Sequence, residues 1–229
     1  VKSTGPASSL DDLKRFAATA AHEMGNSLAA IIATAQLLRA SAHDPAVIKR
    51  LADRIEAIAN QMSEAISDLK VLGSPLRRES GVSINQLVGE AVERVLPIAQ
   101  RDGLQIEVDL DPALPTLVCD RRSVERVFIN LIKNALDATR GVTSRPVVVR
   151  SRRRGAYAVV TVYNRGIPIP PELQDQLFKP FFSTKPHGSG LGLVISREIV
   201  VDGHGGTISF RSGPKLGTAF TVKFPLSGT

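Results

Sequence analysis

A chain of 229 residues with 43% hydrophobic and 22% charged residues has the make-up of a folded protein of one large domain or two modest ones, which excludes disorder and fibrous repeats. Its 29 basic and 22 acidic residues leave a net charge of +7, which fits a solvated face or a surface that helps dock an acidic protein partner. Nucleic acid is not expected, because Arg77-Arg78, Arg121-Arg122 and Arg152 to Arg154 are not interleaved with stacking aromatics, which make up 4% of the chain.

The opening stretch, VKSTGPASSLDD, has neither an initiator Met nor a targeting pattern, and reads as the start of a fragment, with residues 1–8 as linker or disordered. The longest nearly apolar run, Leu28 to Leu38, is interrupted by Thr34 and Gln36 and falls well short of the ~20 residues of a spanning helix. No membrane contact by this fragment is expected, although the full-length protein could be membrane-anchored. Cys119 is the single cysteine, which excludes an internal disulfide and a cysteine metal cluster and suits a reducing, cytoplasmic setting.

Leu13, Ala17, Ala20, Met24, Ser27, Ile31, Thr34 and Leu38 recur at spacings of three and four, the seam of a long helix. Ile48, Leu51, Ile55, Ile58, Met62, Ala65, Leu69 and Leu72 repeat the pattern after a break in which Asp44 suits a cap and Pro45 a first helical position. The two predict an antiparallel all-α hairpin over 9–73. At 1.5 Å per residue each helix runs roughly 40 Å and leaves half of its apolar stripe in water, so a second copy is expected to complete a dimeric four-helix bundle.

Gly73 to Gly81, with Pro75 inside it, breaks the helical period and reads as a hinge over 74–81. From 82 to 226 the pattern is mixed. A short strand is expected near Val82 to Ile84, a helix to about Arg101, a half-buried strand over Leu104 to Leu110, and a helix over Asp120 to Thr139. A hairpin turning at Arg154-Gly155 follows, then a helix from Leu191 to Val201 and strands over Gly206 to Arg211 and Gly217 to Phe224. Strands and helices that do not alternate strictly predict an α+β sandwich, helices layered on one face of a mixed sheet. Residues 227–229 are a tail.

On the Asp120 to Thr139 helix, Asn130, Asn134 and Asp137 share one face at i, i+4 and i+7, either a solvent-exposed helix face or an oxygen-rich stripe suited to Mg²⁺ bridging to nucleotide phosphates. Gly188-Ser189-Gly190-Leu191-Gly192 opens a helix and lets backbone N–H groups approach a phosphate. It follows no strand of a βαβ unit and lacks the Gly-Lys-Ser/Thr ending, so neither the dinucleotide fingerprint nor the P-loop is satisfied. Phe178, Phe181 and Phe182 sit beside it as anchors of a loop folding over a ligand, with Lys185 placed to reach a terminal phosphate. His22 and Asn26 fall on one helix face, turned to water, with Glu23 adjacent. His43, His187 and His204 read as inert.

Taken in this order, the chain resembles, over about residues 9 to 226, the transmitter module of bacterial sensor histidine kinases, whose ATP-binding half is similar to that of the gyrase, heat-shock chaperone and mismatch-repair ATPases, the GHKL superfamily with its Bergerat-type fold. His22-Glu23 with Asn26 looks like the phosphoacceptor box, Asn130 and Asn134 the Asn box, Asn164-Arg165-Gly166 the first glycine box, and Gly188 to Gly192 the second. The resemblance implies ATP-dependent phosphorylation of His22 and transfer to an aspartate of a response-regulator receiver domain. Glu23 is then the base and Asn26 the residue orienting water for dephosphorylating the regulator. Nucleotide is expected at Asn130, Lys133, Asn134, Asp137, Asn164, Gly166, Lys185, Gly188, Gly190, Leu191, Gly192 and Thr218, with Asn134 on Mg²⁺. The alternatives are a module acting mainly as regulator phosphatase and a non-catalytic phosphotransfer scaffold with a weakened nucleotide site.

Three positions depart from the family pattern. Asn164 stands where Asp is usual; its amide can still accept from adenine's amino group and donate to the adjacent ring nitrogen. Pro168 replaces a common glycine and stiffens its turn, and Ser27 replaces a proline, so the first helix is expected to bend less.

Overall fold

The computed structural model describes residues 24–40, 44–72, 75–142, 145–185 and 188–226. These fall into two compact units, one taking in the described residues up to Leu69 together with Pro180–Gly190, the other Lys70–Lys179 and the described residues from Leu191 onward.

The first unit contains most of the predicted helical region. Residues 24–40 form α1 and Pro45–Leu72 form α2. Asp44 begins α2 as its spacing suggests: Oδ1 accepts the N–H of Ala46 at 2.9 Å and of Val47 at 3.3 Å, pairing donors that a helix start leaves open. The seam positions Ile31, Leu38, Leu51, Ile55 and Met62 are half-buried. Among the described residues of the two helices only Thr34 and Ile58 are fully buried, while Leu28, Ile32 and Leu37 are each at least 50% exposed.

The second unit is α+β. Its strands are β1 (Glu79–Val82), β2 (Ile106–Asp109), β3 (Leu117–Cys119), β4 (Val147–Arg154), β5 (Tyr157–Asn164), β6 (Thr207–Gly213) and β7 (Gly217–Pro225). Its helices are α3 (Ile84–Arg101), α4 (Arg121–Thr139), α5 (Pro171–Gln174) and α6 (Gly192–Arg197). A five-stranded sheet runs β2-β4-β5-β7-β6, parallel only between β2 and β4, and β1 pairs antiparallel with β3 in a separate ribbon. Strand alternation puts Ala158, Val160 and Val162 of β5 beside Phe220, Val222 and Phe224 of β7 on one buried face. Against that face pack Phe128, Leu131 and Leu136 of α4, with the Phe128 ring edge-on to Phe224 at 6.3 Å.

Several elements differ from the sequence reading. The first strand lies at Glu79–Val82 rather than 82–84, because the Ser83 side chain accepts the Gln86 N–H at 3.3 Å and starts α3 immediately after it. Strand β2 sits at the sheet edge with Val108 45% exposed, so its apolar alternation covers less than the half-burial expected. The helix after the second glycine box is regular only to Arg197; Glu198–Asp202 continues as a π-helical turn, closed by the Gly203 N–H on the Glu198 carbonyl at 2.8 Å. Strand β3, three residues long, has no alternation to betray it.

Candidate functional site

Helix α4 is the spine of the site. Asp120 caps it, its carboxylate accepting the N–H of Ser123 at 2.9 Å and of Arg77 at 2.6 Å. Burial raises the pKa of this group, but the backbone N–H groups of Ser123 and Arg77 outweigh it and hold the carboxyl below its usual range. The Asp120 N–H is itself held at 2.9 Å by His204 Nε2, while His204 Nδ1 lies 2.6 Å from the Ile199 carbonyl. A carbonyl only accepts and an amide N–H only donates, so the imidazole is neutral with its proton on Nδ1. His204 is therefore 9% exposed and structural, not the inert surface histidine expected of its place at a helix end. His22, Glu23, His43 and His187 lie outside the described residues; Asn26 is exposed on α1.

Along α4, the polar stripe is organised by hydrogen bonds. Asn134 Nδ2 donates to Asn130 Oδ1 at 3.4 Å, Asn130 Nδ2 donates to Ser196 Oγ at 2.9 Å, and Ser196 Oγ donates to the Gly192 carbonyl at 2.8 Å. The Asn box and the last glycine of the second glycine box thus meet, with Ser196 as the joint. A Cβ at Gly192 would stand 2.3 Å from Asn130 Oδ1, so a side chain there displaces the Asn130 amide from this network. Asp137 turns toward Arg140 at 3.4 Å. Lys133, on the same helix, is half-buried.

One turn beyond Asn134, the loop after β5 closes on the same helix. The Ile167 N–H donates to the Ala138 carbonyl at 2.8 Å, and at Gly166 a Cβ would lie 1.8 Å from that oxygen. Only glycine lets the backbone come this near. The loop is pinned again where the Ile169 N–H donates to Ser212 Oγ at 2.8 Å, 2.7 Å from the Thr218 hydroxyl.

Asn164, opposite Thr218 in the β5–β7 register, is 3% exposed. Its Nδ2 is buried without a hydrogen-bond partner, a condition that costs about 1–3 kcal/mol unless a ligand answers it. This orphaned donor, beside the glycine cradle of Gly166, fits a bound nucleobase carrying a ring-nitrogen or carbonyl acceptor. A separate cavity of about 280 Å³ is lined by Arg78, Cys119, His204 and Phe224 and by none of these residues; burial pushes the Cys119 thiol up to about 11, so it is unreactive.

In the Pro180–Gly190 stretch, Phe181 is left-handed at φ 63° and donates its N–H to the Gly190 carbonyl at 3.1 Å. Gly190, at φ 66°, approaches so near that a Cβ would lie 2.3 Å from the Phe181 carbonyl carbon. Gly188 faces Ser183 Oγ, which also accepts the Lys185 N–H at 3.1 Å. Gly190 and Phe181 thus form a backbone clasp within this stretch. Leu191 is buried and its carbonyl starts α6 by accepting the Ile195 N–H at 2.9 Å.

The sequence reading missed Ser196, Ser212 and His204. Each acts through a partner far along the chain, Asn130, Ile169 and Asp120, which no local pattern marks.

Comparison with known proteins gives two family matches: residues 12–75 match the "His Kinase A (phospho-acceptor) domain" and residues 119–228 the "Histidine kinase-, DNA gyrase B-, and HSP90-like ATPase". The chain is 32% identical over 219 residues to the sensory histidine kinase/phosphatase NtrB of Escherichia coli O157:H7, covering 90% of this chain and 60% of that protein. It is 31% identical to the sensor-like histidine kinase SenX3 of Mycobacterium tuberculosis H37Rv, covering 92% and 53%. The chain therefore spans about half to three-fifths of the length of these relatives. Among solved structures, the catalytic domain of histidine kinase ThkA is 30% identical with a TM-score of 0.58 over 66% of this chain and 96% of that one. The complex of ThkA with the response regulator TrrA gives 26% identity and a TM-score of 0.76 over 96% and 64%.

Proposed function

The chain belongs to the sensor histidine kinases, a phospho-acceptor helical domain followed by a GHKL ATPase domain that binds ATP, and from that premise we propose that it phosphorylates its own His22 and passes the phosphoryl group to an aspartate of a response-regulator receiver domain. The observation that carries this reading is the buried, unpartnered Asn164 Nδ2 beside the Gly166 cradle, on the same chain as a His22-Glu23-Met24-Gly25-Asn26 box inside the matched phospho-acceptor domain.

Neutral imidazole has an ordinary pKa near 6.5, so at physiological pH a ring nitrogen of His22 has a lone pair for attack. The N–P bond to the γ-phosphorus forms as the P–O bond to the leaving ADP breaks, and Glu23 takes the other ring proton. Asn164, Gly166 and Thr218 hold the base end. Asn130 orients Asn134, whose amide oxygen is a hard ligand for Mg²⁺. The metal neutralises charge on the phosphates when bound. Lys133, Asp137, Lys185, Gly188, Gly190, Leu191 and Gly192 complete the nucleotide set. The apolar α1 and α2 positions left exposed, Leu28, Ile32 and Leu37 of α1 and Ile66 of α2, support a homodimeric bundle, and a cytoplasmic setting follows from the chemistry of ATP and a regulator partner.

Incubation with γ-phosphate-labelled ATP and Mg²⁺ tests the reading. Acid-labile, base-stable label is expected on the wild type and none on His22→Gln; label that survives in His22→Gln defeats it.

A second activity is favoured by Asn26, exposed on α1, and by the likeness to a kinase/phosphatase. If Asn26 orients the attacking water for regulator dephosphorylation, Asn26→Ala keeps most autophosphorylation and loses most phosphatase rate. An unchanged phosphatase rate assigns that water elsewhere.

A further inference from the structure

On the reading of this site as nucleotide-binding, on which the proposal below rests, its base end has a chemistry of its own. Asn164 is 3% exposed and its Nδ2 has no partner. A carboxylate at this position would offer acceptors alone, whereas a carboxamide offers an acceptor and two donors, exchanged by a half-turn about its last side-chain bond. The purines differ in the same sense along the edge that carries the 6-substituent. Adenine sets an amino donor beside the N1 acceptor. Guanine and hypoxanthine set an O6 acceptor beside an N1–H donor.

With Oδ1 toward the 6-substituent the amide meets adenine at two points. With Nδ2 there it meets a 6-oxopurine at two points, and the donor that the fold buries without a partner finds one in O6. An asparagine is held to one orientation by hydrogen bonds from its neighbours. Thr218, opposite Asn164 in the β5–β7 register, has its hydroxyl 2.7 Å from Ser212 Oγ. No protein acceptor anchors Nδ2 against the half-turn.

We propose that Asn164 is the base-selecting residue and that its amide makes the site accept 6-oxopurine nucleotides alongside 6-aminopurine ones. A site of this kind draws on guanine or inosine nucleotides as well as adenine nucleotides.

Calorimetric titration of the full chain with ADP, GDP and IDP in the presence of Mg²⁺ tests this without recourse to turnover. IDP is the deciding probe, because it carries O6 and N1–H without guanine's 2-amino group. The wild type is expected to bind IDP within about tenfold of ADP. In Asn164→Asp, confirmed as folded by its melting curve, the preference for ADP over IDP is expected to widen by about 5- to 150-fold, the worth of a good two-point base contact. A wild type that takes ADP but binds IDP more than about tenfold more weakly overturns the proposal and leaves ATP binding intact. An unchanged ADP-to-IDP ratio in a folded Asn164→Asp overturns it equally. Binding of none of the three diphosphates removes the nucleotide-site reading itself. If Asn164→Asp does not fold, the wild-type ratio alone decides.

Discussion

At Gly166 a methyl group would sit 1.8 Å from the Ala138 carbonyl oxygen and 2.7 Å from the Thr139 nitrogen, backbone on both counts, so no rotamer change relieves it. Gly166→Ala is expected to lose about 1–3 kcal/mol of stability and most nucleotide affinity, read by thermal melting and by ADP titration. Gly89, inside α3 with nothing within 4 Å of where a methyl group would stand, is the control: Gly89→Ala should gain about 0.5–1 kcal/mol. At this scale Asn130 and Asn134 on one helix face and the glycines of the 188–192 stretch stood out by their spacing, whereas Asn164 was marked only through the family resemblance. That a side chain at Gly192 would meet the Asn130 amide was not legible, because it depends on where that amide points. Nor was His204, whose two ring nitrogens are fixed by Asp120 and Ile199, groups that the chain brings together only when folded.

The start of α4 carries two groups with shifted titration, Asp120 and the His204 that holds it. Burial, and the charge of Arg78, hold His204 below its ordinary value of 6.5, while the Ile199 carbonyl and Asp120 act the other way. A base depressed in the folded state binds protons more readily when unfolded, so its contribution is complete above pH 6.5 and declines as pH falls below that value toward the folded pKa. Asp120, depressed as an acid, contributes above its ordinary 3.8 and loses its share only at lower pH. His204 is therefore expected to lower the melting temperature between pH 7 and pH 5.5, roughly the span of an ordinary imidazole titration. His204→Gln, whose amide can donate and accept but does not titrate, should flatten that fall; an equal slope in the variant would assign it to another group. The long helices were readable from their periodicity and, for α2, from the cap at Asp44; the Ser83 cap of α3 was not. The displacement of β1 and the π-helical turn at Glu198–Asp202 were not, because both depend on hydrogen bonds that a hydrophobic pattern does not encode.

Across the whole molecule, the large fully buried side chains, Phe128, Phe224, Leu87, Leu131 and Leu136 among them, belong to the second unit, which has a core of its own. The described hairpin helices bury only Thr34 and Ile58. A fragment of residues 75–229 is therefore expected to melt cooperatively as a monomer, and a fragment of residues 1–75 to sediment as a dimer whose helicity falls on dilution. Circular dichroism and analytical ultracentrifugation check both. A monomeric, fully helical 1–75 fragment would mean that the hairpin closes its own stripe. The division into a helical hairpin and an α+β half was visible in the change of period from 3.6 to 2. The assignment of Pro180–Gly190 to the first unit was not, since nothing in a loop's composition says which body it follows.

Asp120 joins three strands of polypeptide at one point: its carboxylate grips the first turn of α4 and the incoming Arg77 backbone, and its own N–H rests on His204. Arg78 adds a second rivet, donating to the Gly203 carbonyl at 2.6 Å. Tension applied to the chain entering at residue 75 is consequently borne at the foot of the helix that carries Asn130 and Asn134, rather than being dissipated in a slack tether.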